Sequence, residues 1–420
     1  MEKLREFLLR ERLCAECFDL AEEVERFREE MRRGLAGEES SLYMIPTFLS
    51  AGHGAAEDGR VIVLDAGGTN LRAGTVTFSG GKAADVTFAK TRLPGTGETL
   101  PAEVFFDRIA EHAAPYLDAS DRVGFCFSYA AKCREDRDGT IIEFCKEVSV
   151  SGAAGLPICG SLDAAIKRRG VNKQFHYVQL NDTVAALLGG MTVTDPAKYD
   201  GYIGFILGTG MNSCYSENTA NIPKYTGGAY REKTMIVNME SGCYAGFRGG
   251  EIDRAMDAAS TVPGDHLAEK LMSGAYLGSI LAVALDKAAE EGLLSKGAGV
   301  DKIHMPEVSA FLAGEKSWLS DNFPEGDHAA IRAIIDALFS RTARLMAVIY
   351  AAIALQTGTG KEKPICIVLE GSTYQKTPRL QELLADELDG LRERYDRKFE
   401  VRFAENSTLT GAAYAAMTNG

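Results

Sequence analysis

The sequence predicts an α/β protein of two lobes around a central cleft. Two observations carry that prediction: a strand–turn–strand unit that occurs twice, and a length of 420 residues at 45% hydrophobic composition, enough for two cores. The first unit is Val61-Ile62-Val63-Leu64, the turn Asp65-Ala66-Gly67-Gly68-Thr69-Asn70, and the strand Leu71 to Phe78. The second is Tyr202 to Leu207, the turn Gly208-Thr209-Gly210-Met211-Asn212, and Ser213 to Ser216. Glycines let the backbone take positive φ and approach a ligand closely, and successive N–H groups in such turns make anion sites. Thr69, Asn70, Thr209 and Asn212 add donors without bulk. One such hairpin is what any tight turn requires, whereas two facing each other read as a phosphate clamp. No G-x-x-x-x-G-K-[ST] is present, so it is not a P-loop.

The remaining elements follow in order. Leu4, Phe7, Leu8, Cys14, Cys17, Phe18, Val24, Phe27 and Met31 recur at helical spacing among Glu and Arg, which predicts an amphipathic helical arm over 3–33. Ser50 to Gly59 reads as a linker. Strands are expected at 61–64, 71–78, 84–89, 123–127 and 177–180, with helices near Pro101 to Tyr116 and Leu162 to Arg168. Beyond the second turn the pattern becomes helical, with long helices at Leu267 to Leu285 and Ile331 to Leu355, then strands at Ile365 to Leu369 and Glu400 to Phe403.

Composition narrows the function. A net charge of −13 with no basic stretch argues against nucleic acid as a partner, while leaving small phosphorylated ligands open. The charged start Met1-Glu2-Lys3-Leu4-Arg5-Glu6 is unlike a signal peptide, and the apolar run Leu345 to Leu355 is too short to span a bilayer. No membrane association and a cytoplasmic location are therefore expected. Nine cysteines without disulfide-like spacing suit a reducing compartment. Cys14 and Cys17 form the one C-x-x-C, which lacks a second pair for zinc and reads as a core or surface thiol pair.

Six segments, in this order, resemble the hexokinase family of the actin-like ATPase (ribonuclease H-like) superfamily: 64–72, Gly124 to Tyr129, Gln179-Leu180-Asn181-Asp182-Thr183, Ile206 to Tyr215, Asn238-Met239-Glu240-Ser241-Gly242 and Pro263 to Lys270. Glu370-Gly371-Ser372-Thr373-Tyr374 is similar to the family's adenosine-binding turn, and Gly411-Ala412-Ala413 resembles the start of its closing helix. The resemblance spans nearly all the chain. It implies a large domain from 1–59 and 181–409, a small one from 60–180 with 410–420 returning to it, and transfer of a phosphoryl group from ATP to the 6-hydroxyl of a hexose, foremost glucose, as in the first step of glycolysis. A monomer or homodimer whose partners are a hexose and a nucleotide is expected.

Each site residue has a plainer reading beside the implied one. Asp182 before Thr183-Val184-Ala185 is placed to cap a helix; matched to the family it becomes the general base, with Asn181 a sugar ligand. Asn212 and Glu240 suit strand ends and Glu269 a solvated helix face, yet the resemblance makes all three sugar ligands, together with Asp182. Ser128, Cys145 and Lys146 complete the sugar set from the small domain, Lys146 also meeting phosphate charge and joining Asp182 in catalysis. On the nucleotide side the resemblance implies Asp65, Gly67, Gly68, Thr69, Asn70, Gly208, Thr209, Gly210, Gly371 and Ser372, with Asp65 positioning Mg²⁺ through water; Arg72 reads as structural. The chain departs from the family at Ser128-Tyr129-Ala130 (Ser-Phe-Pro), Cys145-Lys146-Glu147-Val148 (Thr-Lys-Gly-Phe), His266 (Gln) and Ser407-Thr408-Leu409-Thr410 (a glycine-rich turn). Two other readings are another actin-like sugar kinase and a catalytically weak, hexokinase-like sugar sensor. The zinc loop of the bacterial repressor-like sugar kinases is absent, and Asp182, Asp65 and Lys146 are intact.

Overall fold

A computed structural model describes residues 2–52, 56–144, 148–225 and 228–419. Among these residues two large sheets carry the fold. One has five strands in the spatial order His176–Leu180, Arg122–Phe127, Gly59–Gly67, Asn70–Ser79, Lys82–Arg92. The other runs Ile45–Pro46, Thr234–Asn238, Met211–Asn218, Gly201–Leu207, Ile365–Glu370, Phe399–Arg402. Apart from the edge strand Ile45–Pro46, the two are built alike. In each, an antiparallel meander supplies three strands, its first strand pairs in parallel with a later one, and that one pairs in parallel with the last. The duplication seen in the sequence only at the two turns thus covers both sheets, and the two-lobed actin-like architecture is present.

Side-chain alternation explains how the sheets are covered. Val61 and Val63 face a central core that also takes Cys214, Ile236, Cys366 and Val368 from the other sheet. Ile62 and Leu64 face the opposite way, against Phe105, Phe106 and Leu162. The strand is buried on both faces, so it reads as a continuous apolar run. Filling the central core are two helices, Asp182–Val193 and Ser407–Thr418, each following the last strand of one sheet. They cross at glycines: a Cβ on Gly411 would stand 1.8 Å from Ala185 O, and one on Gly189 2.2 Å from Ser407 O. The closing helix therefore starts before Gly411, and Ser407 to Thr410 form its first turn rather than a loop.

Three further sequence expectations are corrected. The N-terminal arm is two helices, Glu2–Arg10 and Leu20–Ala36, parted by a turn that buries Leu13, Cys14 and Phe18, with Asp19 Oδ1 accepting from Ala21 N and Glu22 N to cap the second. The helix expected over Leu267 to Leu285 breaks at Ser273 into Leu267–Met272 and Gly274–Glu290, because Gly274 N and Ala275 N donate to Gly208 O and Thr209 O at 2.9 and 3.2 Å. The break is therefore made by the second glycine turn. The run Leu345 to Leu355 lies in a 30-residue helix, His328–Thr357, which as a whole is long and apolar enough to cross a membrane; 83% of its most apolar window is buried inside the protein, as in a core helix.

Candidate active site

Three adjacent parallel strands of the five-stranded sheet end side by side. Asp65 is in register with Cys126, and Cys126 with Leu180, so Asp65, Ser128 and the pair Asn181–Asp182 emerge at neighbouring carboxyl ends, where open α/β sheets bind ligands. At the first turn Gly68 has φ +57°, and a Cβ there would meet nothing within 4 Å. Ser128 lies directly beneath, donating its N–H to Ala66 O at 3.0 Å, with its Oγ 2.8 Å from where a Gly67 Cβ would be. Tyr129, a departure from the family's phenylalanine, donates its hydroxyl to Gly68 O and so ties the turn down.

Asp65 is 5% exposed, and its Oδ2 accepts from Arg72 Nε at 2.9 Å and from Thr408 Oγ1 at 3.1 Å. Arg72 Nη2 also donates to Thr408 Oγ1 at 2.7 Å, closing a three-residue network between the hairpin and the closing helix. Asp65 and Arg72 line a cavity of about 340 Å³ with Gly67, Asn70, Phe88 and Lys90. Arg72 therefore positions Asp65 and also faces open space.

Asn181, not Asp182, is the N-cap of helix Asp182–Val193, its side chain accepting from Thr183 N at 2.9 Å. Asp182 is the first helical residue, and its Oδ1 accepts from the same N–H at 2.8 Å. Burial pushes the Cys126 thiol well up, and the negative charges of Asp65 and then Asp182 push it further, Asp65 also through a hydrogen bond.

From the other sheet, Asn212 Nδ2 donates to Asn238 Oδ1 at 2.9 Å and Asn238 Nδ2 to Glu240 Oε1 at 2.7 Å. Glu269 Oε2 accepts from Met211 N at 2.9 Å and packs 2.6 Å from where a Gly210 Cβ would be. Burial raises the Glu240 carboxyl pKa; the Asn238 bond opposes this, Asp182 and Glu269 add to it, and His266 opposes it. Asp182 and Glu269 thus both sit within range of the Glu240 charge, a set of acceptors suited to a ligand dense in hydroxyls. Cys145 and Lys146 lie outside the described residues.

The second turn is gripped from behind. Gly208 O accepts from Gly274 N at 2.9 Å and from Thr373 Oγ1 at 2.8 Å, and Thr209 O accepts from Ala275 N at 3.2 Å. A trans peptide points its N–H opposite its C=O, so the Thr209 and Gly210 amides face away from these anchors, as anion donors must. Gly371 has φ +113° and packs on Leu207, its would-be Cβ 2.3 Å from Leu207 O; Ser372 N lies against Gly208.

Sequence reasoning missed Asn238, Thr373 and Thr408. Asn238 had a visible signal, as a polar residue closing the apolar strand Thr234–Asn238 two residues before Glu240. Cys243, Asp265 and His266, whose ligand atoms lie within 4.8 Å of one another, form a soft donor set unlike the all-oxygen environment magnesium takes.

Two sequence models, both described as hexokinase, match residues 9–192 and 202–418. Hexokinase-1 of Schizosaccharomyces pombe is 31% identical over 93% of this chain and 85% of its own length, and Hexokinase-2 of Candida albicans 29% over 94% and 87%. Among solved structures, the hexokinase of Schistosoma mansoni complexed with glucose superposes with a TM-score of 0.80 at 24% identity, covering 99% of this chain and 98% of that one. A ROK-family glucokinase of Streptomyces griseus, in complex with glucose and AMPPNP, shares the fold at a TM-score of 0.52 and 19% identity, over 84% and 98%. The chain belongs to the hexokinase family and is an ATP-dependent hexose kinase.

Proposed function

We propose that the chain transfers the γ-phosphoryl group of Mg-ATP to the 6-hydroxyl of glucose, with Asp182 taking the hydroxyl proton. The observation that carries this reading is the alignment of Asp65, Ser128 and Asp182 at the ends of three adjacent strands, which sets a phosphate-side carboxylate, a hydroxyl and a base along one edge. Asp182 is the first residue of its helix, and Thr183 N–H donates to its Oδ1 at 2.8 Å, which holds the carboxylate in place. Asn181 retains its amide NH₂ for a sugar oxygen, since its carbonyl caps the helix. Asn212, Glu240 and Glu269 orient the other hydroxyls, Ser128 closing the set from the opposite sheet, and Lys146 and Cys145 complete it. Because these ligands come from the regions we assign to a large domain (1–59 and 181–409) and a small one (60–180 and 410–420), a bound sugar draws the lobes together and excludes water.

Asp65 fits a magnesium site. It is a buried carboxylate beside two glycines, and the space over Gly68 is empty. Arg72 and Thr408 hold Oδ2 and the Cys126 thiol also bonds the carboxylate, which fixes Asp65 to meet the ion through a water; the ion would neutralise phosphate oxygens. The glycine turns hold the phosphates by backbone amides, with Thr69, Asn70 and Thr209 adding side-chain donors, and Gly371 and Ser372 shape the adenosine pocket. Cytoplasmic operation as a monomer or homodimer completes the reading. A coupled assay with glucose, fructose, mannose and N-acetylglucosamine against several phosphoryl donors, with and without Mg²⁺, tests it. Product phosphorylated elsewhere than the 6-hydroxyl, or Mg²⁺-independent turnover, would overturn it.

A further inference from the structure

The C-x-x-C pair has no part in phosphoryl transfer, and the fold turns its two sulfurs toward each other. Cys14 and Cys17 flank the turn between the first two helices, and their Sγ atoms are 3.4 Å apart. They are unequal. Cys14 is core, at 8% exposure, whereas Cys17 is only partly covered. The hydrogen bond from Cys14 pulls the Cys17 thiol below its ordinary range against burial, helped by a backbone bond and the charges of Arg12 and Arg341, while Cys14 is pushed up. Burial pushes Cys126, Cys133, Cys159, Cys214, Cys243 and Cys366 all the other way. The cations are held in place: Arg12 Nη2 donates to Cys17 O at 2.6 Å, and Arg341, fully buried, donates to Arg12 O at 3.3 Å. An accessible thiol beside cations with a second thiol behind it is the arrangement of an attacking and a resolving cysteine.

We propose that Cys14 and Cys17 form a reversible disulfide site oxidised by hydroperoxides, with Cys17 the first to react. The Cys17 thiolate attacks one peroxide oxygen; the O–O bond breaks, hydroxide or alkoxide leaves, and Cys17 becomes a sulfenic acid. Cys14 then attacks the Cys17 sulfur; the S–S bond forms, the S–O bond breaks, and the departing hydroxide takes the Cys14 proton as water. Two thiols give up two electrons, and the peroxide is reduced to water plus water or alcohol. The sulfurs need approach from 3.4 Å to a bond of about 2.05 Å, a movement within the turn. Ala15 N, bonded to Ser340 Oγ at 3.2 Å, keeps that turn on the buried helix. The bridge closes a very short loop, so it adds little stability and yields to a dithiol.

Peptide mapping of the wild-type enzyme, treated with less than one equivalent of hydrogen peroxide and then alkylated, tests this without any variant. The expected product is the peptide linking Cys14 and Cys17, lighter by two hydrogens, formed before any other cysteine changes and lost with dithiothreitol. In Cys14→Ser, dimedone should trap a sulfenic acid at Cys17; in Cys17→Ser it should trap none at Cys14. Absence of the linked peptide, prior oxidation of another cysteine, or dimedone on Cys14 would overturn the proposal. So would protection of both thiols that only a chelator relieves, since that would make the pair a metal site.

Discussion

The two glycine turns are the same element of the same sheet construction, yet only the first carries a charged side-chain network. Around the first, side chains do the holding: Arg72 and Thr408 fix Asp65, and Tyr129 ties Gly68. Around the second, the contacts fall mainly on backbone carbonyls, through Gly274, Ala275 and Thr373, with Gly371 packed on Leu207. Under the proposed function, the duplicated scaffold carries a charged network with the metal-side carboxylate at one turn and carbonyl-anchored amides at the other. On that division the chemical step belongs to the first sheet, and damage to the second turn should appear as lost nucleotide affinity and stability.

The largest expected effect is at Asp182. Asp182→Ala should lower kcat at least ~10²-fold while leaving the glucose Kd nearly unchanged, because a base acts in the transition state. Stopped-assay kinetics paired with calorimetry check both halves. Wild-type turnover would remove the base from the first sheet and with it the division of labour. Gly371→Ala attacks the other side. Its Cβ would lie 2.3 Å from Leu207 O at φ +113°, so roughly 1–3 kcal/mol of strain is expected, read as a lower melting temperature and a raised KM for ATP. Gly68→Ala provides the contrast: nothing lies within 4 Å of that Cβ, so only the backbone strain of φ +57° is added, without a clash, and phosphate access suffers. If both variants lost stability equally, the turns would not differ as argued.

How far the sequence revealed this arrangement depended on where each constraint lay. The strands at 61–64 and 71–78 and the two turns were readable because their signal is local: apolar runs, then glycines. Apolar periodicity runs straight through Ser273, however, while the break there is imposed by carbonyls of Gly208 and Thr209, some sixty residues upstream in the chain. The same holds for the N-terminal arm, whose spacing hides a buried turn at Leu13 to Phe18. Thr408 looked like a lost glycine turn because its partner Asp65 lies 343 residues away. The candidate site itself was legible through family resemblance more than chemistry: on its own Asp182 read as a cap, and the cap proved to be Asn181. Cys145 and Lys146 rest on the resemblance alone.

Glu240 sharpens the comparison through pH. Burial raises its carboxyl pKa from the ordinary 4.5, so the folded apo enzyme binds that proton more tightly than the unfolded chain does. Its contribution to stability is therefore greatest in acid and declines as pH rises through the raised value. Glu240→Gln should flatten that part of the apo stability profile, measured at one pH near the ordinary carboxyl value and one well above it, and weaken glucose binding at neutral pH by about 1.5–3 kcal/mol, the usual value of a hydrogen bond to a charged group. Wild-type glucose affinity should also fall on acidification, and the variant's should not. Denaturant titrations at both pH values and calorimetry with glucose decide it; an unchanged slope in the variant would move the titration elsewhere.

The smallest effects come from the paired hydroxyls, and they test the division most directly. Thr408 Oγ1 donates to Asp65 Oδ2 at 3.1 Å, and Thr373 Oγ1 donates to Gly208 O at 2.8 Å. Valine at either position keeps the volume; it deletes one bond at Thr373 and two at Thr408, whose hydroxyl also accepts from Arg72 Nη2, so Thr408→Val and Thr373→Val should cost about 0.5–1.5 kcal/mol of stability per bond lost. Their kinetic signatures should separate. Thr408→Val leaves Arg72 on Asp65 but loosens the carboxylate, so the Mg²⁺ concentration needed for half-maximal rate should rise with little change in KM for ATP at saturating metal. Thr373→Val leaves the Gly208 carbonyl held by Gly274 N alone, so the Thr209 amide should be less firmly oriented and KM for ATP should rise at every Mg²⁺ concentration. Magnesium titrations of both variants at fixed and at saturating ATP distinguish the cases. Identical signatures would mean that the two turns act as one phosphate site, and that their different anchoring is packing without functional consequence.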